Sequence, residues 1–446
     1  MKFRFEADEL DELEKGIFAS GWASEVRDIA IESGVNPVGV YVMCLQRRLA
    51  QIPPDVLLPP PGGSGCGGSL NTIVLGVGDS GGGKNSAWNL AQALSPYQEG
   101  KLDVRQIGVG TGEHLIHACI KYTKDGAKTV RDAADPYYKS VYSIATEGRL
   151  LDKELSREGS KAAELLCEMW TGAFVGAAAR GDADRWIAQH AVRWNCLLMI
   201  QPANLGGFAA QEATGLPQRL TWFAVNEPRA PMQVPERRKF LPTMPRIPGD
   251  GPFSDEIPVD AAIRQEIWDQ HNAIRRGDLP GIDAHRSFAM LKMAAAISFS
   301  EAKFGVSWNH WERAGAIMRM SDAVRDRAME CQRAHAAEAA KEAEVSRAVA
   351  RGHAKVAGGI AEEQAAEDYA ERVEEMQARI LAALQEGPVP HRDLTRKCGA
   401  HRASTLPRQA FRAALTNLKD RGAIRRDPPG VDVGGVWHLA NVEATA

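Results

Sequence analysis

The most regular feature of this sequence is a series of short apolar runs, each followed by a glycine-rich or polar turn. "NTIVL" leads through glycines into "NLAQAL", and "VRQIGVG" leads into "HLIHACI", so that helical spacing follows a strand-like run. "SVYSI" and "NCLLMI" also end in polar residues, and "RLTWFAV" completes the series. Strands that alternate with helices predict a parallel sheet covered on both faces, and therefore an α/β fold.

Changes in composition and spacing divide the chain into regions of different predicted structure. We predict five: 1–60 (N-terminal helical region), 61–230 (core of alternating strands and helices), 231–330 (linker and helical lid-like domain), 331–375 (charged helical linker) and 376–446 (small basic C-terminal domain). The charged region is rich in Ala, Glu, Arg and Lys with few large apolar residues, which predicts a long exposed helix. We expect that helix to break at Gly358–Gly359.

Bulk composition limits the possible functions. The 446 residues carry a formal net charge of −3, so any nucleic-acid contact must come from a local basic patch. Seven cysteines occur without a C-x-x-C pair, which favours reduced thiols in a cytoplasm over disulfides or a zinc site. The acidic N-terminus lacks a signal-peptide pattern, and no apolar run approaches the roughly 18 residues of a membrane span. We therefore expect a cytoplasmic protein without a membrane partner.

The stretch "GVGDSGGGKNSAW" matches a phosphate-binding loop, G-x-x-x-x-G-K-[ST], at every position but the last. Its glycines let backbone N–H groups surround an anion, the following helix adds its positive N-terminal end, and Lys84 neutralises the outer phosphates. Asn85 stands where a hydroxyl usually binds Mg²⁺, so its amide oxygen is the candidate metal ligand. The expected cofactors are ATP and Mg²⁺. The candidate nucleotide-binding residues are Gly78, Ser80, Gly81, Gly82, Gly83, Lys84, Asn85 and Ser86.

Polar residues at the ends of later strands are candidates for catalysis, because ligands of open α/β sheets lie beyond the carboxyl ends of the strands. Glu147 follows "VYSI" and can orient or deprotonate the attacking water, although Thr146 replaces the aspartate that usually precedes it. Gln201 follows "CLLMI" and can sense a γ-phosphate. Arg219 precedes the last strand, and such an arginine can stabilise phosphoryl charge from a neighbouring subunit. A loop glutamate, a polar strand terminus and a structural salt bridge are the respective alternatives.

The C-terminal region is locally basic. "MQARILAALQEGPVPHRDLTRKCG" predicts helix, turn and helix, "TLPRQAFRAALTNLKDRGAIRRDPPG" a third helix, and "GVWHL" a closing strand. Three short helices and a β-wing form a winged helix, and the basic residues suit a DNA phosphate backbone. The candidate DNA-binding residues are Arg402, Arg408, Arg412, Lys419, Arg425 and Arg426. The alternative is a winged helix that binds protein and exposes a solvated basic face.

Taken in order, these motifs resemble the DUF3987-type P-loop ATPases of phages, plasmids and integrative elements. The resemblance includes "GDSGGGKN", "TEGRLLDKEL", "LLMIQPANLGGF", "GLPQRLTWF" and the winged helix, and spans roughly residues 30–440. It implies a RecA/AAA-like core and a homo-oligomeric, ring-forming ATPase, such as a hexamer, that acts on DNA with other replication proteins. By position, the resemblance implies that Lys84 binds phosphate and that Glu147 is the acidic residue at a strand end. It also implies that Gln201 is the residue that senses the γ-phosphate and that Arg219 is the arginine finger.

Three functions remain compatible with the sequence. The first is an ATP-dependent replication protein of a mobile element, a helicase or initiator–helicase. The second is a nucleotide-gated DNA-binding regulator with little ATPase activity, which Asn85 and the missing aspartate favour. The third is a loader or adaptor that engages a host helicase through the winged helix.

Overall fold

The computed structural model of this chain divides into two compact units, Met1–Glu338 and Ala339–Ala446. The residues it describes are 2–19, 21–60, 67–109, 112–126, 128–176, 185–236, 238–247, 255–279, 285–400, 405–427 and 435–440.

The first unit contains a central sheet with helices before, between and after its strands. Its helices are α1 (Ala7–Leu13), α2 (Trp22–Glu32), α3 (Pro37–Ala50), α4 (Lys84–Leu94), α5 (Gly112–Cys119), α6 (Arg149–Leu155), α7 (Ala162–Thr171), α8 (Gly206–Ala209), α9 (Leu216–Arg219), α10 (Ala261–Arg276), α11 (Arg286–Ser300) and α12 (Trp308–Gln385), whose residues fall in both units. Its strands are β1 (Thr72–Val77), β2 (Val104–Gly108), β3 (Tyr122–Asp125), β4 (Lys128–Arg131), β5 (Ser140–Ala145), β6 (Val175–Gly176), β7 (Trp186–Ile187), β8 (Arg193–Ile200) and β9 (Leu220–Ala224).

Five strands form one sheet in the order β2–β5–β8–β1–β9, and every neighbouring pair is parallel. Strand β1 lies between β8 and β9, with Thr72 opposite Asn195 of β8 and Ile73 opposite Leu220 of β9. Every residue of β1 and β8 is buried, as expected of parallel strands covered on both faces. The predicted α/β class is confirmed, because the strand before the glycine loop lies inside a parallel sheet, between β8 and β9.

Helix α3 is buried along its whole length and is fixed to the sheet by one glutamine. The Gln46 amide nitrogen donates to the carbonyl oxygens of Thr72 at 3.2 Å and Cys196 at 3.0 Å. Its amide oxygen accepts from the Tyr142 hydroxyl at 2.6 Å. Because this fully buried side chain contacts β1, β8 and β5 together, it satisfies its own polar groups and sets the position of α3 across three strands.

The sequence does not predict the antiparallel hairpin β3–β4, in which Asp125 pairs with Lys128. Helical spacing in "HLIHACIKY" suggests a helix that reaches Tyr122, whereas α5 ends at Cys119. The hairpin is largely exposed and polar, so it lacks the apolar alternation that identifies a half-buried strand. A second short pair, β6 with β7, is also absent from the prediction.

The second unit has its own small sheet and core. Its further elements are β10 (Val389–Pro390), α13 (His391–Lys397), α14 (Thr405–Asp420), β11 (Ile424–Asp427) and β12 (Val436–Leu439). The strands pair antiparallel in the order β10–β12–β11. Ile380 of α12, Leu394 of α13, Phe411 of α14 and Trp437 of β12 meet in a buried cluster. The helices and the closing strand β12 agree with the sequence-based expectation, whereas β10 and β11 are not expected from the sequence, and the assignment to a winged helix stays a prediction.

The expected helix break at Gly358–Gly359 is wrong, because α12 runs without interruption through both glycines. Each glycine costs about 1 kcal/mol relative to alanine in a helix, and the flanking Ala, Glu, Arg and Lys residues form helix well enough to absorb that cost. Despite its 78 residues, α12 is too polar to be a membrane span. No other helix in the described part of the chain has the length and apolarity to cross a bilayer.

Candidate nucleotide-binding site

The glycine loop joins the end of β1 to the start of α4, as the motif requires. Gly81 and Gly83 have φ angles of +80° and +87°, in the left-handed region that favours glycine. Gly78 is required for a different reason, since a Cβ on it would lie 2.9 Å from Cβ of Val225. The loop therefore has a tightly curved backbone that side chains at these positions would strain or obstruct.

The loop leads directly into the N-terminus of α4. Gly83 is the N-cap residue, and no side chain in the described part of the chain caps this helix. The first N–H groups of α4 thus have no side-chain acceptor, and with the helix dipole they suit an anion. Lys84 is the first residue of the helix and is half-buried, whereas Ser80, Asn85 and Ser86 are exposed. Gly82, also half-buried, donates its N–H to the Asp79 carbonyl at 3.2 Å.

The charge of Lys84 is coupled to two carboxylates. Partial burial lowers the pKa of Lys84, while the negative charges of Glu147 and Asp79 oppose that shift. Such coupling requires the three charged groups to lie near one another. The structure therefore brings together the predicted phosphate-binding lysine and the predicted acidic strand-end residue, which are 63 positions apart in the sequence.

Glu147 and Gln201 follow neighbouring parallel strands, so both lie at the carboxyl edge of the sheet together with the glycine loop. Backbone hydrogen bonds join these strand ends. The Gly148 N–H donates to β8 at 2.7 Å, and the Gly78 N–H donates to the Ile200 carbonyl at 3.1 Å. Glu147 is exposed and Gln201 is half-buried, so neither side chain is closed off from solvent.

A buried carboxylate that sequence reasoning missed fixes this edge. Asp152 of α6 accepts hydrogen bonds from the backbone N–H groups of Gly207 at 2.7 Å and Phe208 at 3.2 Å. Burial raises the pKa of Asp152, against the effect of the two donors. The contact holds the segment after Glu147 against the segment after Gln201. Nothing in the sequence around Asp152 distinguishes it from an exposed acidic residue.

Arg219 does not join this group within its own chain. It ends α9 immediately before β9, and the next residue, Leu220, pairs with Ile73 near the beginning of β1. At about 3.3 Å per residue, the glycine loop begins roughly 16 Å further along the strands. Arg219 therefore lies at the amino edge of the sheet, opposite the phosphate loop.

The Arg219 guanidinium is held by its own chain. It donates to the carbonyl oxygens of Thr214 at 3.1 Å and Gly215 at 2.8 Å, and it contacts Nε2 of His285 at 2.7 Å. Burial and the neighbouring positive charges lower the pKa of His285 to about 4, so at neutral pH the ring is uncharged and Nε2 accepts from arginine. No salt bridge to Arg219 is present among the described residues.

The structure places most of the candidate DNA-binding residues on α14 and β11. Arg408, Arg412 and Lys419 are exposed on α14, and the two arginines are one turn apart. On β11, Arg425 is exposed, whereas Arg426 is half-buried with its guanidinium carbon 5.4 Å from the centre of a Trp437 ring. Arg402 lies outside the described residues.

Comparisons with known proteins add little to this geometry. No protein-family model matches the sequence, and no curated protein resembles it at a significant level. The solved structure of the Aeropyrum pernix ORC2 protein in its ADP form is 13% identical to this chain, with 83% of this chain and 84% of that chain covered and a TM-score of 0.22. A likeness at that TM-score supports no inference about this chain. The family resemblance of the motifs therefore stays a prediction.

Proposed function

We propose that this chain is an ATPase that acts on DNA in the replication of a mobile genetic element, as a helicase or initiator–helicase. The observation that carries the proposal is the convergence at one edge of the sheet. The glycine loop, the open N-terminus of α4, Lys84 and Glu147 lie together there. Backbone donors, a helix dipole and a lysine suit a triphosphate, and a carboxylate beside them suits activation of water.

The roles of the residues follow from their positions. The loop N–H groups and Lys84 bind the phosphates, and Asn85, exposed in the first turn of α4, offers an amide oxygen to the Mg²⁺ that accompanies ATP. Glu147 orients or deprotonates the attacking water. Gln201 lies at the end of the neighbouring strand and contacts the γ-phosphate. Asp152 is a positioning residue that holds the two strand-end segments together.

Homo-oligomerisation is part of the proposal, because Arg219 lies at the far edge of its own sheet. From there it can reach only the nucleotide of a neighbouring subunit. Acting as a finger would require its guanidinium to leave the carbonyl oxygens and the histidine that now accept its hydrogen bonds. In a ring of such subunits each ATP lies between two chains, and hydrolysis is coupled to movement along DNA.

The second unit supplies DNA contact in this proposal. Its element order suits a winged helix, and the exposed face of α14 with Arg408, Arg412 and Lys419 is where phosphates or base edges would bind. This unit would bind duplex DNA or bring the ATPase to an origin.

The test is ATP turnover by the purified full-length protein with and without DNA. We expect DNA-stimulated turnover in the parent and a loss of at least tenfold in Lys84→Ala, equivalent to about 1.4 kcal/mol. Lys239→Ala is the matched control, since Lys239 is exposed on a loop outside the site. Equal turnover in the parent and in Lys84→Ala would refute the phosphate-loop assignment.

A second candidate is the nucleotide-gated DNA-binding regulator. Three observations favour it: Asn85 replaces the usual hydroxyl, Thr146 replaces the usual aspartate, and Arg219 is bound to its own chain. This candidate predicts ATP binding that depends on Lys84 and changes DNA affinity, with no DNA-stimulated turnover. A loader or adaptor would instead bind a helicase through the second unit and show little affinity for DNA.

A further inference from the structure

Three aromatic side chains and one arginine form a cluster at the surface of the first unit. Arg131 of β4 has its guanidinium carbon 4.6 Å from the ring centre of Tyr137 and 4.3 Å from that of Trp186. Trp186 of β7 stacks on Phe174, with ring centres 5.7 Å apart and 21° between the ring planes. We call these four residues the aromatic cluster. It joins the hairpin β3–β4 to the pair β6–β7, two short strand pairs outside the central sheet that the proposed ATPase chemistry does not use.

The aromatic cluster has one fixed end and one open end. Tyr137 is 6% exposed, and its hydroxyl accepts a hydrogen bond from the Ala188 N–H at 3.0 Å. Phe174 is 54% exposed, although stacking holds it against Trp186. A large aromatic ring that is held in place and open to solvent offers a stacking surface whose conformational freedom is already lost. Another flat ring can therefore bind to Phe174 at a small cost in entropy.

The hairpin beside the aromatic cluster presents positive charge on the same face. In its register Tyr122 pairs with Arg131, and Lys124 pairs with Thr129. Side chains two positions apart along a strand point to one face, so Lys124 and Arg131 share a face. Lys124 is exposed, and Asp125, the one carboxylate of β3 and β4, belongs to the opposite face. Within these two strands, the face to which Arg131 belongs therefore carries two cations and no carboxylate.

We propose that the aromatic cluster and Lys124 bind an unpaired strand of nucleic acid, with one base stacked on Phe174 and a phosphate beside Lys124. The bases of a duplex already stack on one another, so an open aromatic ring selects an unpaired base. A cationic and polar face beside the ring suits phosphates better than the apolar surface of a protein partner. Every base has a flat face, so binding should depend little on base sequence.

This surface uses no residue of the phosphate loop or of the second unit. The inference therefore goes beyond the proposed function and does not depend on ATP turnover.

The experiment measures binding of the full-length protein to a fluorescent deoxythymidine homopolymer and to a uridine homopolymer by anisotropy, without nucleotide. Every protein also carries Arg408→Ala and Arg412→Ala, which removes the proposed duplex contact of the second unit. Phe174→Ala is expected to weaken binding at least fivefold because the stacking surface is lost, whereas Phe174→Trp keeps a ring and should bind about as tightly as the parent. Lys124→Ala is expected to flatten the slope of log affinity against log salt by about 0.7, the value for one phosphate contact with a single strand.

A matched control and a direct probe complete the experiment. Phe240→Ala removes a phenylalanine that is 89% exposed on a loop outside the aromatic cluster, and it should leave the affinity unchanged. A strand that carries 5-iodouracil should cross-link to Phe174 or Trp186 under ultraviolet light, and mass spectrometry of the peptides identifies the linked residue.

Binding with this pattern supports the inference, and the tighter of the two strands identifies the sugar. A parent without affinity for either strand, or a Phe174→Ala protein that binds as tightly as Phe240→Ala, overturns the inference and favours a protein partner on the exposed ring. If Phe174→Ala melts far below the parent, the salt slope of Lys124→Ala and the cross-linked residue decide. Absence of ATP turnover in a protein that shows this binding pattern would refute the proposed ATPase function alone.

Discussion

At the scale of single residues, the least ordinary feature of the first unit is a buried lysine that has no carboxylate partner among the described residues. Lys292 of α11 is fully buried, and its ammonium group donates to the carbonyl oxygens of Asn71 at 2.7 Å and Trp170 at 2.6 Å. The ammonium also lies 3.4 Å from the centre of a Trp170 ring. Burial, together with the positive charges of Arg193 and Arg219, lowers the pKa of Lys292 well below its usual value. These contacts tie α11 to the start of β1 and the end of α7.

This lysine should make stability depend on pH. Its pKa is lower in the folded chain than in the unfolded chain, where it is about 10.4, so between the two values the unfolded chain binds more protons. Stability therefore rises with pH in that window, and Lys292→Met should flatten the rise. The measurement is the melting temperature from about pH 7 to pH 10 for both proteins. Arg193, whose pKa burial lowers to about 9, makes stability rise with pH in the same direction, so Lys292→Met should keep part of the rise. Parallel profiles would contradict the prediction.

The residues of the candidate site differ in how visible they are in the sequence. Lys84, Glu147 and Gln201 follow apolar runs directly, so their shared edge can be predicted from the chain order and from the geometry of parallel strands. Asp152 cannot be predicted in this way. Its importance depends on the distant backbone of Gly207 and Phe208, whose position beside it is set by packing of the α6 segment rather than by local pattern.

At the scale of elements, burial decides what the sequence can predict. The fully buried strands β1 and β8 contain the apolar runs "IVL" and "CLLMI", and the sheet could be predicted from them. The hairpin β3–β4 is exposed and polar, so no apolar periodicity marks it. The break expected in α12 is wrong because glycine lowers helix stability without forbidding the helix, and its neighbours decide the outcome.

The glycines of α12 give a prediction at this scale. A Cβ on Gly352, Gly358 or Gly359 would meet no described atom within 4 Å, so alanine fits at each position. Each substitution should stabilise the helix by up to about 1 kcal/mol, because alanine loses less backbone entropy than glycine. Circular dichroism of the triple variant should show a higher melting temperature. Ala350→Gly on the same exposed helix is the matched control and should lower it. A triple variant that melts below the parent would show that these positions need glycine.

At the scale of the whole molecule, the position of Arg219 separates two kinds of assembly. A monomeric regulator has no use for an arginine at the amino edge of the sheet other than its contacts with Thr214, Gly215 and His285. In the proposed ring, the same residue would face the nucleotide of a neighbouring subunit. Lys84→Ala and Arg219→Ala proteins should each be inactive alone and should recover part of the ATPase activity when mixed, because mixed rings contain intact composite sites.

The control is a second mixture at the same total protein concentration in which no intact composite site can form. A variant that carries both substitutions, mixed with Lys84→Ala, contains no subunit with an intact loop and should show no recovery. Activity of the first mixture that stays at the level of this control, in oligomers shown to exchange subunits, would refute a shared site. So would a parent protein that is active and strictly monomeric.

DNA binding belongs to the same scale, because the net charge of the chain is −3 and affinity for DNA must come from a local surface. Each phosphate contact releases condensed counterions, with a slope of log affinity against log salt of about −0.9 per contact. If Arg408 and Arg412 contact phosphates, replacing both with Ala should weaken duplex binding by the full-length protein and flatten the slope by about 1.8. If they read bases, the slope should persist and sequence preference should fall by about 1–3 kcal/mol per contact.

The control is the double variant Arg347→Ala with Arg351→Ala, which removes the same charge at the same spacing from α12. It should change neither the affinity for duplex DNA nor the salt slope. If the double variant on α14 binds DNA as well as this control does, the proposal that the second unit binds DNA is refuted, and a protein partner is favoured instead.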